Sequence, residues 1–181
     1  MVADKRDDDL GFAADPGLTE TRPGDPKLAI LQQYLKDLSF EVPHAPDILK
    51  HAARVPQGVV SIDIRATRLP ADDGQNFESV LKMRVEARLE DKIAYIVELH
   101  YAAIVHFDRV PEDETEPSLM IKVPRLMFPF ARQIIAQTVQ AGGFRSMLVN
   151  PIDFKLHYIE QLRARGVRRQ GLIDPAPSPD E

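Results

Sequence analysis

Over much of its middle the chain alternates with period two. Across 35–42, Leu38, Phe40 and Val42 fall on one side and Asp37, Ser39 and Glu41 on the other. That alternation marks a strand buried on one face. Pro43 and Pro46 then force a turn or an extended excursion. Across 58–69, Val60, Ile62 and Ile64 alternate with Ser61, Asp63, Arg65 and Thr67, and Asp72-Asp73-Gly74 supplies a turn. Across 77–89, Leu81, Met83, Val85, Ala87 and Leu89 alternate with Lys82, Arg84, Glu86 and Arg88. Glu90-Asp91-Lys92 makes a tight connection to 93–107, where Tyr95, Val97, Leu99 and Tyr101 oppose Ile96, Glu98 and His100. Short links between consecutive strands predict an antiparallel sheet.

The period then changes. Across 125–141, Leu126, Phe130, Ile134 and Thr138 recur every fourth residue, with Met127, Ala131, Ile135 and Val139 beside them. Two adjacent stripes make a helix apolar over a wide arc, so both sides are expected to touch protein. Pro129 fits such a helix only in or before its first turn, and Gly142-Gly143 is a strong stop. Asp153 is a candidate cap for a second helix carrying Phe154, Tyr158 and Leu162 and ending at Gly166. Four strands followed by two helices predict an α+β fold, a four-stranded antiparallel sheet with the helices behind it.

Composition trims the ends. Residues 1–27 hold Asp4, Asp7, Asp8, Asp9, Asp15, Glu20 and Asp25 with Pro16, Pro23 and Pro26, and the segment from Arg168 to Glu181 is rich in proline and acid. Neither can bury enough to offset ordering entropy. The predicted layout is therefore a disordered acidic and proline-rich tail over 1–27, one folded domain over 28–166 and a disordered tail over 167–181. A net charge of −5 argues against general binding to nucleic acid or to anionic membrane. The absence of cysteine removes disulfides, thiolate metal sites and a cysteine nucleophile together. No apolar run is long enough to span a bilayer and no signal-peptide pattern opens the chain, so a cytoplasmic location is expected.

No catalytic constellation is visible. His44, His51, His100, His106 and His157 show neither HxH nor HExxH spacing, and no phosphate loop or nucleophile elbow occurs. His44 and His51 read as solvated loop residues. No metal, cofactor or catalytic residue is predicted. The rival reading is an enzyme or small-molecule binder built on the open sheet near His100 or His106, which a concave pocket with convergent polar groups would favour. Two features stand out instead. Asp37, Glu41 and Glu98 lie on outward strand positions, which suits either a solvated face or the docking of a basic partner. The large side chains also exceed what one sheet and two helices need: this suits a thick monomer core, self-association through the doubly apolar helix, or an apolar-ligand groove, and the two-sided helix favours self-association.

These segments carry a resemblance. Val123-Pro124-Arg125-Leu126-Met127-Phe128-Pro129-Phe130-Ala131-Arg132, continued by Gly142-Gly143-Phe144, resembles the signature of the SecB family of bacterial protein-export chaperones. The segments 36–46, 94–99 and 151–154 resemble that family's first strand and turn, fourth strand and last-helix entry. The resemblance implies a homotetramer, a dimer of dimers whose long helices lie between two eight-stranded sheets. It implies a non-catalytic holdase that keeps non-native precursor proteins translocation-competent and delivers them to the SecA motor, or a chaperone of the same fold dedicated to one partner. Carried over by motif, Asp37, Glu41, Ile96 and Glu98 become the SecA-docking residues. Phe40, Val42, Tyr95, Leu126, Met127, Phe128 and Phe154 become candidates for an apolar client groove. The chain departs from the pattern at Ala102-Ala103, where many members have two glycines, and at Arg145-Ser146, where many have two prolines. Those departures bear on strand curvature and on loop geometry.

Overall fold

The computed structural model describes residues 27–69 and 75–170, with side chains through 166. Four strands, β1 (Lys27–Glu41), β2 (Gln57–Arg68), β3 (Asn76–Leu89) and β4 (Lys92–Asp108), form one antiparallel sheet in the order β1-β4-β3-β2. A short 3-10 helix, Asp47–His51, follows the Pro43–Pro46 turn and buries Ile48. The helices come last: α1 (Glu112–Pro117), a π segment (Ser118–Lys122), α2 (Val123–Ala141) and α3 (Phe154–Gln170). The predicted α+β class is the observed one. The two predicted tails and the turn at 72–74 lie outside the described residues, except that β1 begins at Lys27 and α3 reaches Gln170.

β1 starts eight residues earlier than its alternation predicts, and its pairing gives the reason. Register shifts separate Ile30 from Gln32 and Leu35 from Asp37. Each bulge inserts one residue and resets the alternation. The core-side positions of β1, opposite buried odd-numbered residues of β4, are therefore Leu28, Ile30, Gln33, Leu35, Leu38 and Phe40. Spacings of two and three along one strand hide it from a period-two reading. β4 is the sheet's spine: Tyr95, Val97, Leu99, Ala103 and Val105 are fully buried along its inner face. It runs unbroken through Ala102-Ala103, with the register to β1 and β3 continuous there, so the alanines leave the ladder regular.

The segment 112–122, which carries no period in the sequence, is helical. Its prolines and acids look like a loop, but Pro111 precedes the first turn in an extended conformation (φ −56°, ψ 145°), and Glu112, Asp113 and Glu114 face the positive end of the helix dipole. Pro124 has no N–H, and the helix accommodates it through π spacing, the Val123 N–H donating to the Ser118 carbonyl. The rod thus runs on into α2, and Pro129 sits in the interior of α2, not in its first turn. That corrects the sequence expectation. Pro129 denies a donor to the Arg125 carbonyl, a loss of about 3 kcal/mol when nothing replaces it; both residues are exposed, so water can serve.

Of the two α2 stripes, Met127, Ala131, Ile135 and Val139 are fully buried against the sheet, whereas Leu126 and Phe130 are 50% and 49% exposed. Gly142-Gly143-Phe144 closes the helix as a Schellman motif. The Gly143 N–H donates to the Gln140 carbonyl at 3.1 Å and the Phe144 N–H to the Val139 carbonyl at 3.3 Å. Gly143 has φ +87°, a conformation that side chains resist. Asp153 caps α3 as predicted, its Oδ1 accepting from the Lys155 and Leu156 N–H groups at 2.9 and 3.1 Å. Phe154, 1% exposed, anchors α3 edge-on to Phe128 at 5.8 Å. The helix runs through Gly166 to Gln170 instead of stopping there: a lone helical glycine weakens a helix by about 1 kcal/mol without ending it.

Candidate functional site

The sheet has a helix-covered inner face and an open outer face. Register assembles the outer one. Across β1, β4, β3 and β2 run the rows Glu41–Ile96–Glu86–Val59, Ser39–Glu98–Arg84–Ser61 and Asp37–His100–Lys82–Asp63. Directly opposed residues of an antiparallel pair share a face, so Asp37, Glu41, Ile96 and Glu98 all stand on one surface, within three adjacent rows. Asp37 and Glu41 are exposed at the β1 edge; Ile96 and Glu98 are half-buried on β4.

Sequence reasoning nominated the carboxylates and passed over the cations beside them. Arg84 pairs with Glu98 and lies 3.6 Å from Glu86, which Arg88 holds at 2.8 Å. Hydrogen bonds from Arg88 keep the Glu86 carboxyl below the usual carboxylate range. Asp37 has the His100 Nδ1 at 4.0 Å. Higher up the face, Lys36 donates to both Glu78 oxygens at 2.7 Å and Tyr34 donates to the same carboxylate. Lys36 and Tyr34 hold the Glu78 carboxyl low, while that carboxylate and burial push the Tyr34 hydroxyl up to about 12. The signal that could have found these cations was already in β3, where Lys82, Arg84 and Arg88 alternate with core residues. Which strand they would face could not be read without the sheet order.

The client-groove candidates divide. Tyr95, Met127, Phe128 and Phe154 are buried, Phe40 and Val42 half-buried, and Leu126 exposed. Phe40, Tyr95 and Phe144 form an aromatic cluster, with Tyr95 5.9 Å from Phe40 and 5.0 Å from Phe144. The Phe40 ring occupies the place where a Cβ on Gly142 would stand, so the first glycine of the pair admits the ring and the second makes the turn. The Tyr95 hydroxyl lies 3.4 Å from the Met147 sulfur, and Met147 would crowd a side chain at Gly58. Leu126 and Phe130 lie on the exposed α2 stripe, apart from the buried aromatic members. Met147, which joins this cluster through Tyr95, and Ile48, buried in the core, were not nominated from sequence; Ile48 sits in a one-turn helix too short to show a period.

His44 and His51 are exposed, as expected, but His51 is the last residue of the short 3-10 helix and only His44 lies in the turn. His100 and His106, the rival reading's candidates, are on the open face, with His106 Nδ1 2.9 Å from Asn76 Oδ1. The depression beside His100, about 230 Å³, is shallow and lined by Asp63, Lys82, Arg84 and Glu98. No cluster of three metal-capable side chains occurs among the described residues, nor does a helix long and apolar enough to cross a membrane.

A four-stranded sheet open on one face and backed by a helical rod is the fold of SecB-like chaperones. A Mycobacterium tuberculosis SecB-like chaperone, solved with a peptide from the HigA1 antitoxin, superposes with a TM-score of 0.57 at 12% identity, covering 69% of this chain and 90% of that one. The family itself follows from sequence. The family model of preprotein translocase subunit SecB matches residues 21–165. The protein-export protein SecB of Afipia carboxidovorans is 39% identical over 145 residues, 80% of this chain and 88% of that protein. Those of Parvibaculum lavamentivorans and Hyphomonas neptunium are 45% and 39% identical over 129 and 163 residues, 71% and 90% of this chain and 75% and 95% of theirs. The chain belongs to the SecB family of protein-export chaperones.

Proposed function

We propose that this protein is a cytoplasmic holdase. It binds non-native precursor proteins, keeps them translocation-competent and delivers them to SecA, working by binding and release without catalysis or cofactor. The observation that carries this reading is family membership across 21–165, together with retention of both motif-borne surfaces: the acidic group on the outer face and the aromatic cluster around Tyr95.

The physics of such a holdase is sequence-tolerant. Burying apolar segments of an unfolded chain gains about 25 cal/mol per Å², and an unpaired strand edge offers backbone hydrogen bonds to any extended segment. β1 and β2 both have a free edge in the single chain. The eight-stranded sheet of a SecB-like dimer uses one of the two and leaves the other for clients. A homotetramer built as a dimer of dimers would cover Leu126 and Phe130, and repeating the site around it gives avidity from weak contacts. Bound clients are held in U-like states, which opposes their folding. Asp37, Glu41, Ile96 and Glu98 form the SecA-docking surface, carboxylates around one aliphatic contact suited to a basic partner.

The test is aggregation of a reduced, unfolded client followed by light scattering. Suppression at about stoichiometric protein is expected, and no suppression overturns the holdase reading. A lysate interaction screen separates a general client range from one dedicated partner.

A further inference from the structure

The outer face is not uniformly acidic. Its edge column on β1 offers Asp37 and Glu41, whereas β3, two strands further in, carries Lys82, Arg84 and Arg88. β4 lies between them, and Glu98 has Ser39 opposite it on one side and Arg84 on the other. Arg84 closes on it as an ion pair. The carboxylates at the β1 edge are placed differently. Opposite Glu41 stands Ile96, the nearest basic group to Asp37 is the His100 ring at 4.0 Å, and Lys36 turns away to Glu78 at 2.7 Å. Both side chains of the Arg84–Glu98 pair are 43% exposed, so the pair is weak enough to exchange for a competing ion.

We propose that Arg84 is a specificity-determining residue of this docking face: it neutralises Glu98 in the free chain, and a partner docks by replacing the guanidinium at Glu98 with its own basic group. The inference rests on the docking reading above. Its consequence is selectivity by cost. A stray cation can meet Asp37 or Glu41 at the edge without disturbing anything. To engage Glu98 it must also displace Arg84, a penalty that only a partner contacting the whole group recovers. Specificity arises here from an interaction set against the wrong partner, not from stronger attraction to the right one. The displaced guanidinium has a second carboxylate within reach, since Glu86 lies 3.6 Å from it, so docking need not leave Arg84 unpaired.

The experiment measures the affinity of the tetramer for its cognate SecA at fixed ionic strength, for wild type, Arg84→Ala, Glu98→Gln, the double variant, Arg88→Ala and Glu41→Gln. Arg88→Ala removes an equal charge from the same strand but contacts Glu86 instead of Glu98, and so controls for the general rise in negative potential. Arg84→Ala is expected to tighten binding about three- to fivefold, the factor an exposed ion pair supplies. Arg88→Ala is expected to change it less than about twofold, and Arg84→Ala should have little effect once Glu98 is Gln. Equal gains from Arg84→Ala and Arg88→Ala overturn the proposal. So does a gain that persists without Glu98, or a loss of affinity in Arg84→Ala. If Glu98→Gln and Glu41→Gln both bind SecA as wild type does, the docking reading itself fails, which separates the two failures. Circular dichroism and solution mass check that each variant keeps its fold and assembly.

Discussion

The same substitution, Gly→Ala, should have opposite signs at two glycines of this chain. Gly143 holds φ +87° as the turning residue of the α2 cap, and an added Cβ would meet only Leu49 Cδ2, at 3.6 Å, an ordinary contact. The cost is therefore backbone strain alone, about 1–2 kcal/mol for a side chain in the left-handed region. At this chain length each kcal/mol shifts the melting temperature by about 2–4 °C, so Gly143→Ala should lower Tm by about 2–8 °C. The strain acts on the Schellman bonds that place Phe144 against Tyr95, so near-ultraviolet tyrosine dichroism should weaken as well. Gly166 is in mid-helix, and a Cβ added there would meet nothing within 4 Å. There alanine should gain about 0.5–1 kcal/mol, raising Tm by about 1–4 °C. Both variants are melted by far-ultraviolet circular dichroism at one protomer concentration, because association adds to apparent stability. Gly143→Ala melting at or above wild type, or both variants moving the same way, refutes the reasoning.

Gly142→Ala should push the Phe40 ring off Tyr95 and weaken client binding with little loss of fold, which a client titration beside a thermal melt will check. All four tyrosines have raised hydroxyl pKa values: Tyr34 to about 12 through Glu78, and Tyr95, Tyr101 and Tyr158 through burial. A spectrophotometric titration should show tyrosinate forming at higher pH in the folded protein than in the denatured chain, which titrates near 10. Because the folded pKa values are raised, the stability they contribute is complete below pH 10 and is lost as pH rises through the folded values. Asp153→Ala removes the acceptor for two α3 N–H groups and should cost about 1 kcal/mol, measured by denaturant unfolding. The exposed Leu126–Phe130 stripe predicts a particle of about 82 kDa, four times 20.4 kDa, and a monomer mass by light scattering at micromolar concentration would refute it.

What is local was legible in the amino-acid pattern alone. Period-two runs located β2, β3 and β4 to within a residue, because over most of each strand the side chains alternate between a more buried and a more open face. Gly142-Gly143 and Asp153 marked a helix end and a helix start, because caps act through bonds only a few residues apart. The motif around 123–132 gave the family. What depends on neighbours distant in the chain emerged only once the chain was folded. The first half of β1 was illegible because its two bulges are defined only against β4. Helix over 112–122 was hidden by prolines that π spacing and an extended Pro111 accommodate. The carboxylates of the outer face could be nominated one by one, but not the cation column beside them, since Arg84 meets Glu98 only after a hairpin sets the register of β3 on β4. Likewise, two equally apolar stripes on α2 became different when the sheet covered Met127 and left Leu126 outside. Periodicity records that a side chain is apolar; which surface covers it is fixed by chain segments that arrive from elsewhere.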